Sequence, residues 1–288
     1  MKIKLGIVGF GIVGKALKHV FETKFPIYIY DKYQKEHQGL SILARESNLV
    51  FITVPTSMLK KGDIDLSYVI DALSSLSDSA KKQKREKLLT VLKSTIIPGT
   101  TDNLQRKFLN LDLVFNPEFI TEKNFLNDMR NTDRVVIGTN NKNSARVVET
   151  VYREIFPDAT YIITTPKTAE MIKYASNVAL ASQVMIANEI YQICQRIGVD
   201  YTTVKNVLLL DKRIGRNINV PGNDKDFGFG GKCLPKDLNA LISFAKGKGY
   251  EPKLFEQVWT SNLRLRKNYD WEKIKGTTSK NRFKSIKT

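Results

Sequence analysis

Cysteine and histidine are scarce in this chain of 288 residues, which holds two of each. Cys194 and Cys233 are too few for a disulfide framework or a cysteine-rich zinc cluster, and no metal is expected. His19 and His37 both fall in the first forty residues. No apolar run reaches the roughly 20 residues of a membrane span, and no leader precedes the first apolar segment. A cytoplasmic protein without membrane contact is expected. Acids are also under-represented, 29 against 46 Lys and Arg, a net charge of +17. Such a surplus suits either a nucleic-acid backbone or a small ligand carrying several phosphates. Part of it is local: Lys81 to Lys87 reads KKQKREK, and the tail from Glu272 on carries Lys273, Lys275, Lys280, Arg282, Lys284 and Lys287. Both stretches read as solvated surface. There is no zinc-finger spacing, aromatic RNA-binding motif or basic recognition helix, so nucleic acid is the weaker choice of partner.

What is present begins at the N-terminus. Ile3, Leu5, Ile7 and Val8 form a short apolar strand, followed at once by Gly9-Phe10-Gly11-Ile12-Val13-Gly14. A helical pattern follows (Val13, Leu17, Val20, Phe21), then a second strand, Ile27 to Tyr30, closed by Asp31. Glycines at 9, 11 and 14 permit a tight turn and close backbone approach, while the helix start from Ile12 and Val13 offers free N–H groups to a pyrophosphate. Asp31 stands where an acid meets the ribose hydroxyls of a dinucleotide, which selects NAD over its 2′-phosphorylated form.

Strand patterns then recur at Leu49 to Val54, Leu89 to Leu92, Leu111 to Phe115, Arg134 to Gly138 and Ala159 to Ile163, with helical stretches between. This alternation implies a parallel sheet covered on both faces. Ligands of such sheets bind beyond the carboxyl ends of the strands. Thr56, Thr95 and Glu118 all follow strand ends and should share one rim. Pro166 opens a long helix running to about Gly198 whose apolar positions nearly encircle it, as in a spine enclosed by two domains or two subunits. Cys194 sits in its apolar pattern and reads as core. The remainder is mostly helical, interrupted by a loop from Asp211 to Asp237.

That loop ends in FGFGGKCLPKD, Phe227 to Asp237. Glycines around Cys233 can present its thiol to a ligand, and a nearby ammonium favours the thiolate. A buried structural cysteine in a glycine-rich turn is the competing reading.

Taken together these segments resemble the UDP-glucose/GDP-mannose dehydrogenase family. The resemblance is carried by GFGIVG (Gly9 to Gly14), VPT (Val54 to Thr56), KSTIIPGTT (Lys93 to Thr101), NPEF (Asn116 to Phe119) and DRVVIG (Asp133 to Gly138). It continues with AEMIKYASN (Ala169 to Asn177), Asn188-Glu189, RIG (Arg213 to Gly215) and the cysteine motif, and so covers nearly the whole chain. It implies an α/β fold: an NAD-binding Rossmann-type domain over 1–165, a long connecting helix opening a central helical domain over 166–270 that dimerises, and a basic tail over 271–288.

The resemblance also implies oxidation of the C6 alcohol of a nucleotide-sugar, UDP-glucose foremost, to a carboxylate with two NAD in succession. Cys233 is then the nucleophile, Lys173 stabilises the oxyanion with Asn177 one turn on, and Glu118 acts as base through water. Asp237 acts on the cysteine and lysine arrangement, and Thr95 positions water or cofactor. Thr56, Glu122 and Lys236 reach the cofactor. Glu122, Lys173, Asn177, Arg213, Phe229 and Gly230 contact the substrate in this resemblance, Arg213 across a homodimer interface.

Two departures qualify it. Members of the family continue into a second nucleotide-binding domain, whereas here Asn262-Leu263-Arg264 leads into the basic tail; the loop bearing Pro221 to Asp226, longer than usual, and the basic surface are candidates to replace its phosphate contacts. Lys123 stands where the family has glycine. A two-domain β-hydroxyacid-type dehydrogenase, which pairs a lysine with an asparagine four residues on but needs no thiol, is the alternative, and an inactive NAD-binding or RNA-associated remnant is a third. The two histidines, both early in the chain, speak against a histidine-based dehydrogenase.

Overall fold

The computed structural model describes residues 3–59, 61–274 and 277–278. Most of the basic tail (275–276 and 279–288) therefore lies outside the described residues. The chain forms two compact units, one of Met1–Thr56 with Leu66–Lys173, the other of Ser57–Asp65 with Tyr174–Thr288. The sequence places the division at 165/166, where a long helix begins; the units part within that helix.

In the first unit β1 (Leu5–Val8), α1 (Ile12–Phe21), β2 (Ile27–Tyr30), α2 (Leu40–Glu46) and β3 (Leu49–Ile52) alternate as expected. A two-residue hairpin, β4 (Ser57–Met58) and β5 (Ile64–Asp65), belongs to the second unit. Then come α3 (Ser67–Lys82), β6 (Leu88–Leu92), α4 (Thr100–Lys107), β7 (Leu111–Phe115), α5 (Phe125–Arg130), β8 (Arg134–Gly138), α6 (Lys142–Arg153) and β9 (Thr160–Thr164). The basic cluster Lys81 to Lys87 is not wholly helical: α3 ends at Lys82 and Lys84 has φ 55°.

The sheet order is β2-β1-β3-β6-β7-β8-β9. Pairing is parallel from β2 through β7, but β8 meets β7 antiparallel, with Phe115 opposite Gly138, and β9 follows β8 in parallel. The sheet is thus parallel, as expected, at every pairing but this one. Strand residues alternate between faces, and both faces of the central strands are dry. Leu5, Ile7, Leu49, Phe51, Val91, Val114, Val135 and Ile137 enter one core with α1 and α6. Val8, Val50, Ile52, Leu88, Leu92, Leu113, Phe115 and Val136 enter the other with α2, α3 and α4. Near-continuous apolar strands are what a doubly covered sheet requires.

The long helix, α7, runs Pro166–Ile197. Its start packs so tightly on β8 that a Cβ on Gly138 would lie 2.6 Å from Ala169. One turn in, the buried Glu170 caps α4 from outside. Its carboxylate accepts from the Gly99 N–H at 2.5 Å, the Thr101 N–H at 2.8 Å and the Thr101 hydroxyl at 2.6 Å. Burial raises this carboxyl, and the same donors act against that rise. Within this single chain α7 keeps one face exposed: Leu180, Ile186, Ile193 and Ile197 are exposed, while Tyr174, Val178, Ala181, Met185 and Cys194 are buried.

The second unit adds α8 (Tyr201–Leu208), α9 (Leu234–Gly247), α10 (Lys253–Leu265) and a short 3-10 turn, Asp270–Glu272. Asp200 caps α8 through the Thr202 and Thr203 N–H groups. Trp271 is buried beside Trp259 and Tyr269, so the chain just past α10 is part of this unit's core. Among the described residues no helix is long and apolar enough to cross a membrane.

Three donors at the α4 start depend on Glu170. Glu170→Ala is expected to cost about 2–4 kcal/mol in denaturant unfolding. Glu170→Gln, which keeps an acceptor oxygen, should cost less. Equal stability of Glu170→Ala and the parent chain would show that the cap contributes nothing.

Candidate active site

The glycine turn lies between β1 and α1, beside β3, where the strand order reverses. Gly9 has φ +92°, a conformation that side chains disfavour. A Cβ on Gly14 would collide with the Gly9 carbonyl oxygen, so the helix can start this close to the strand only with glycine there. The Thr53 hydroxyl donates to that same carbonyl at 2.5 Å and locks the turn. A Cβ on Gly11, by contrast, would meet no protein atom within 4 Å. Gly11 is the N-cap of α1 and has no side chain to satisfy the first helical N–H groups. These donors, the positive end of the helix dipole and the open space above Gly11 fit a pyrophosphate. Asp31, just past β2, turns back to the same place: Oδ2 accepts from the Phe10 N–H at 2.7 Å and Oδ1 from the Tyr33 N–H at 2.8 Å. A carboxylate has lone pairs beyond these two bonds, which suits ribose hydroxyls.

Further along the rim, Thr56, Thr95 and Glu118 follow β3, β6 and β7, neighbouring strands, as expected. Glu118 and Glu122 do not share a helix face; α5 starts only at Phe125, and Glu122 is exposed in the preceding loop with Lys123. The Glu118 side chain is held: Oε2 accepts from the Ile120 N–H at 2.9 Å, and Oε1 lies 3.2 Å from Lys173 Nζ. Lys173, nearly buried, also donates to the Glu118 carbonyl at 2.7 Å. Beneath this pair the buried Lys93 donates to Asn116 Oδ1 at 2.7 Å. Burial pushes the Lys93 amine down to about 7; the charge of Glu118 works against this and that of Lys173 adds to it. A cavity of about 290 Å³ opens here, lined by Lys93, Glu118, Tyr152 and Arg134 among others.

In the second unit Cys233 is exposed and is the N-cap residue of α9. Asp237, in the first turn, is buried; it accepts from Asn177 Nδ2 at 2.5 Å and pairs with Lys236. Lys173 and Asn177 stand one turn apart on α7, as their spacing requires. The glycine-rich stretch before Cys233 is held by backbone bonds. Asn188 Oδ1 accepts from Gly228 N–H at 3.0 Å, Asn262 brackets Phe229 through its N–H (2.7 Å) and carbonyl (3.0 Å), and Asp270 accepts from Gly231 N–H at 3.0 Å. Arg266, its side chain almost wholly buried, pairs with Asp224 at 2.5 Å and Asp270 at 3.2 Å. It fills the space a side chain at Gly230 would need.

The structure thus groups Glu118, Lys173, Thr95 and Thr56 on the rim of the first unit, and Cys233, Asp237, Lys236 and Asn177 around the start of α9. Phe229 is buried and Gly230 abuts Arg266. Arg213 is exposed and paired with Asp211 at 2.5 Å. In the long loop Asp226 is buried and accepts from the Phe227, Lys267 and Asn268 N–H groups, while Asp224 and Lys225 are exposed. Sequence reasoning missed Glu170, Lys93 and the Arg266 clamp. Asn188 and Asn262 fell within quoted motifs, but nothing in the pattern says that they bind the loop backbone. Nothing local marks Arg266.

A glycine turn at a strand-order reversal, an open helix N-terminus and a carboxylate at the end of the second strand define a nicotinamide-dinucleotide-binding α/β protein. Residues 31–156 match the NAD binding domain of the UDP-glucose/GDP-mannose dehydrogenase family, and residues 167–264 match its central domain. The chain belongs to that family. It is 35% identical over 259 residues to a UDP-glucose 6-dehydrogenase of Rickettsia bellii, covering 87% of this chain and 58% of that protein. A UDP-glucose 6-dehydrogenase of Bacillus subtilis is 37% identical over 77% of this chain and 48% of its own length. The chain therefore spans about half the length of these curated relatives. A solved UDP-glucose dehydrogenase of Pyrobaculum islandicum superposes with a TM-score of 0.83 at 28% identity, covering 92% of this chain and 68% of that one. The glycine turn precedes the family-matched residues and rests on its own geometry.

Because a side chain at Gly11 meets only open space, Gly11→Val should still fold, losing no more than the roughly 1 kcal/mol of an unfavourable N-cap residue, yet weaken NAD binding by at least about tenfold, read by calorimetric titration. Undiminished affinity would place the pyrophosphate elsewhere.

Proposed function

We propose that this chain carries out the NAD-dependent four-electron oxidation of a nucleotide-sugar C6 alcohol to the carboxylate, with UDP-glucose the first substrate to test. The observation that carries the reading is the setting of Cys233. Its thiol is exposed at a helix N-terminus, at the end of a loop whose backbone is fixed by Asn188, Asn262 and Asp270. The N-terminal end of a helix favours negative charge developing on the sulfur. A structural cysteine would have no use for that exposure.

NAD, held by the Gly9–Gly14 turn and Asp31, supplies the hydride acceptor for both oxidations. Thr56, Thr95, Glu122 and Lys236 are the further cofactor contacts in this reading. The residues of the chain do the rest. Glu118, through water, takes the proton of the C6 hydroxyl as the alcohol becomes an aldehyde. The Cys233 sulfur adds to that aldehyde carbon to give a thiohemiacetal, whose oxyanion Lys173 and Asn177 stabilise. Loss of the second hydride leaves a thioester on Cys233. Glu118, having passed its first proton to solvent, deprotonates a water that attacks the carbonyl; the carbon–sulfur bond breaks, releasing the carboxylate and the Cys233 thiolate. Asp237, bonded to Asn177, fixes the direction of that amide. Arg213, Phe229 and Gly230 are assigned to the substrate side.

A second reading has fold support. A 3-hydroxyisobutyrate dehydrogenase of Mycobacterium tuberculosis superposes with a TM-score of 0.71 over 92% of this chain and 94% of its own, at 15% identity. Such a fold runs one oxidation without a thiol. The two differ in stoichiometry. We expect two NADH per UDP-glucose consumed, and Cys233→Ser to lose the carboxylate product entirely. One NADH per substrate, unaffected by that substitution, favours the single oxidation; no turnover with any UDP- or GDP-sugar favours an inactive NAD-binding form.

We further propose a homodimer through α7. Ile186, Ile193 and Ile197 are 62%, 55% and 67% exposed and lie on one stripe of the helix. Burying each is worth roughly 1.5–3 kcal/mol. Sedimentation should give the mass of two chains, and Ile186→Glu with Ile193→Glu the mass of one. A monomeric parent chain would refute the interface.

A further inference from the structure

Lys93 is a buried ionisable group to which the mechanism above gives no task. Its backbone extends β6, donating to the Ile52 carbonyl at 3.0 Å, so the side chain starts from the most rigid part of the sheet. Its amine donates to Asn116 Oδ1 at 2.7 Å, to the Asn116 carbonyl at 3.3 Å and to the Tyr152 hydroxyl at 3.3 Å. The same hydroxyl donates to Asn116 Oδ1 at 2.5 Å, and Asn116 Nδ2 donates to the Val136 carbonyl at 2.7 Å. The Asn116 side chain is therefore fixed from three strands or helices at once, and Glu118 lies two residues further on.

We propose that Lys93 is a positioning residue for Glu118: it fixes the Asn116–Glu118 turn, and its charge state sets how Glu118 and Lys173 act on each other. This rests on the reading that Glu118 is the base and Lys173 the oxyanion partner. The lysine has three donors when charged, yet among the described residues it donates to an amide oxygen, a carbonyl and a phenol, and to no carboxylate. A buried ammonium so placed is costly and loses its proton readily. Its amine sits at about 7, lowered chiefly by burial, with Glu118 acting to raise it and Lys173 to lower it. Near neutral pH it therefore changes charge beside the pair. Charged, it repels Lys173 and shares the field of Glu118; neutral, it leaves Glu118 and Lys173 to each other.

Other ionisable groups face this place. Tyr152 of α6 is driven well above the ordinary phenol range by burial and stays neutral. Asp128 of α5, Asp133, and Arg134 of β8 line the cavity. Asp128 accepts from the Thr121 N–H at 2.7 Å, and Arg134 pairs with Asp133 at 2.9 Å while lying over the Phe119 ring. These partners engage them locally, whereas the amine of Lys93 has neutral ones. The cavity has room for several waters, giving the Lys93 proton a route out.

The test begins with an NMR titration of the Lys93 ε-ammonium in the full chain, assigned by its contacts to the Tyr152 ring. A midpoint near 7 is expected, lower in Glu118→Gln and higher in Lys173→Met. A midpoint near the ordinary lysine value of about 10.4, or one that neither substitution moves, overturns the proposal. This reading needs no turnover, so it stands apart from the fate of the proposed reaction, and it does not require a Lys93 variant to fold. In the turning-over enzyme, Lys93→Met should lower kcat by about tenfold or more, leave the KM for UDP-glucose within about threefold, and remove the inflection near neutrality from the kcat–pH profile. A profile that overlays the parent after scaling shows Lys93 to be a packing residue and equally overturns it.

Discussion

The constraint on which the first unit depends is the dryness of its sheet. With apolar side chains on both faces of the central strands, a polar or charged group within a strand would have to give up water without compensation. Chemistry is thereby driven past the strand ends. Residues just beyond β1, β2, β3, β6 and β7 carry the glycine turn, Asp31, Thr56, Thr95 and Glu118, on adjoining parts of one rim. The register that makes Leu5, Phe51 and Val114 share one core also sets where each strand ends. Cofactor geometry and core packing are in this sense a single decision.

A different principle holds the cysteine loop. A glycine-rich stretch has little side-chain surface to bury and a high entropic cost of ordering. Its backbone polar groups must carry the burden, and they do so through Asn188, Asn262, Asp270 and the carbonyl of Phe227, which accepts from Arg266 at 3.3 Å. Arg266 occupies the volume that the missing side chain of Gly230 leaves. A buried arginine with carboxylates on two sides is electrostatically satisfied, and it anchors the end of the loop to the chain beyond α10. The residues after Leu265 thus belong to the support of the cysteine, although they lie past the family-matched region.

Charge on the rim is organised with similar economy. Glu118 and Lys173 face each other, Glu170 serves the α4 start, and Lys93 lies beneath with neutral partners. Three of these four are drawn from two short segments, KST after β6 and AEMIK on α7. That concentration places both signs of charge close together on the rim of a strongly basic chain. Much of the remaining positive charge is solvent-facing, as with the exposed Lys81, Lys82 and Lys84.

The sequence by itself determined the alternation of strands and helices, the glycine turn, the acid at Asp31, the extent of α7 and the rim positions of Thr56, Thr95 and Glu118. Each of these is a local pattern: a period of two or of 3.6, a glycine where no side chain fits, or a residue after a strand end. Tertiary structure alone decided the reversal of β8 against β7, the open face of α7 and the loop conformation of Glu118 and Glu122. It also decided the bonding partners of Glu170, Lys93 and Arg266. Their partners are 71, 23 and 42 residues away in the chain. A side chain whose meaning is a bond across that distance leaves no periodic trace, because only the folded core brings donor and acceptor together.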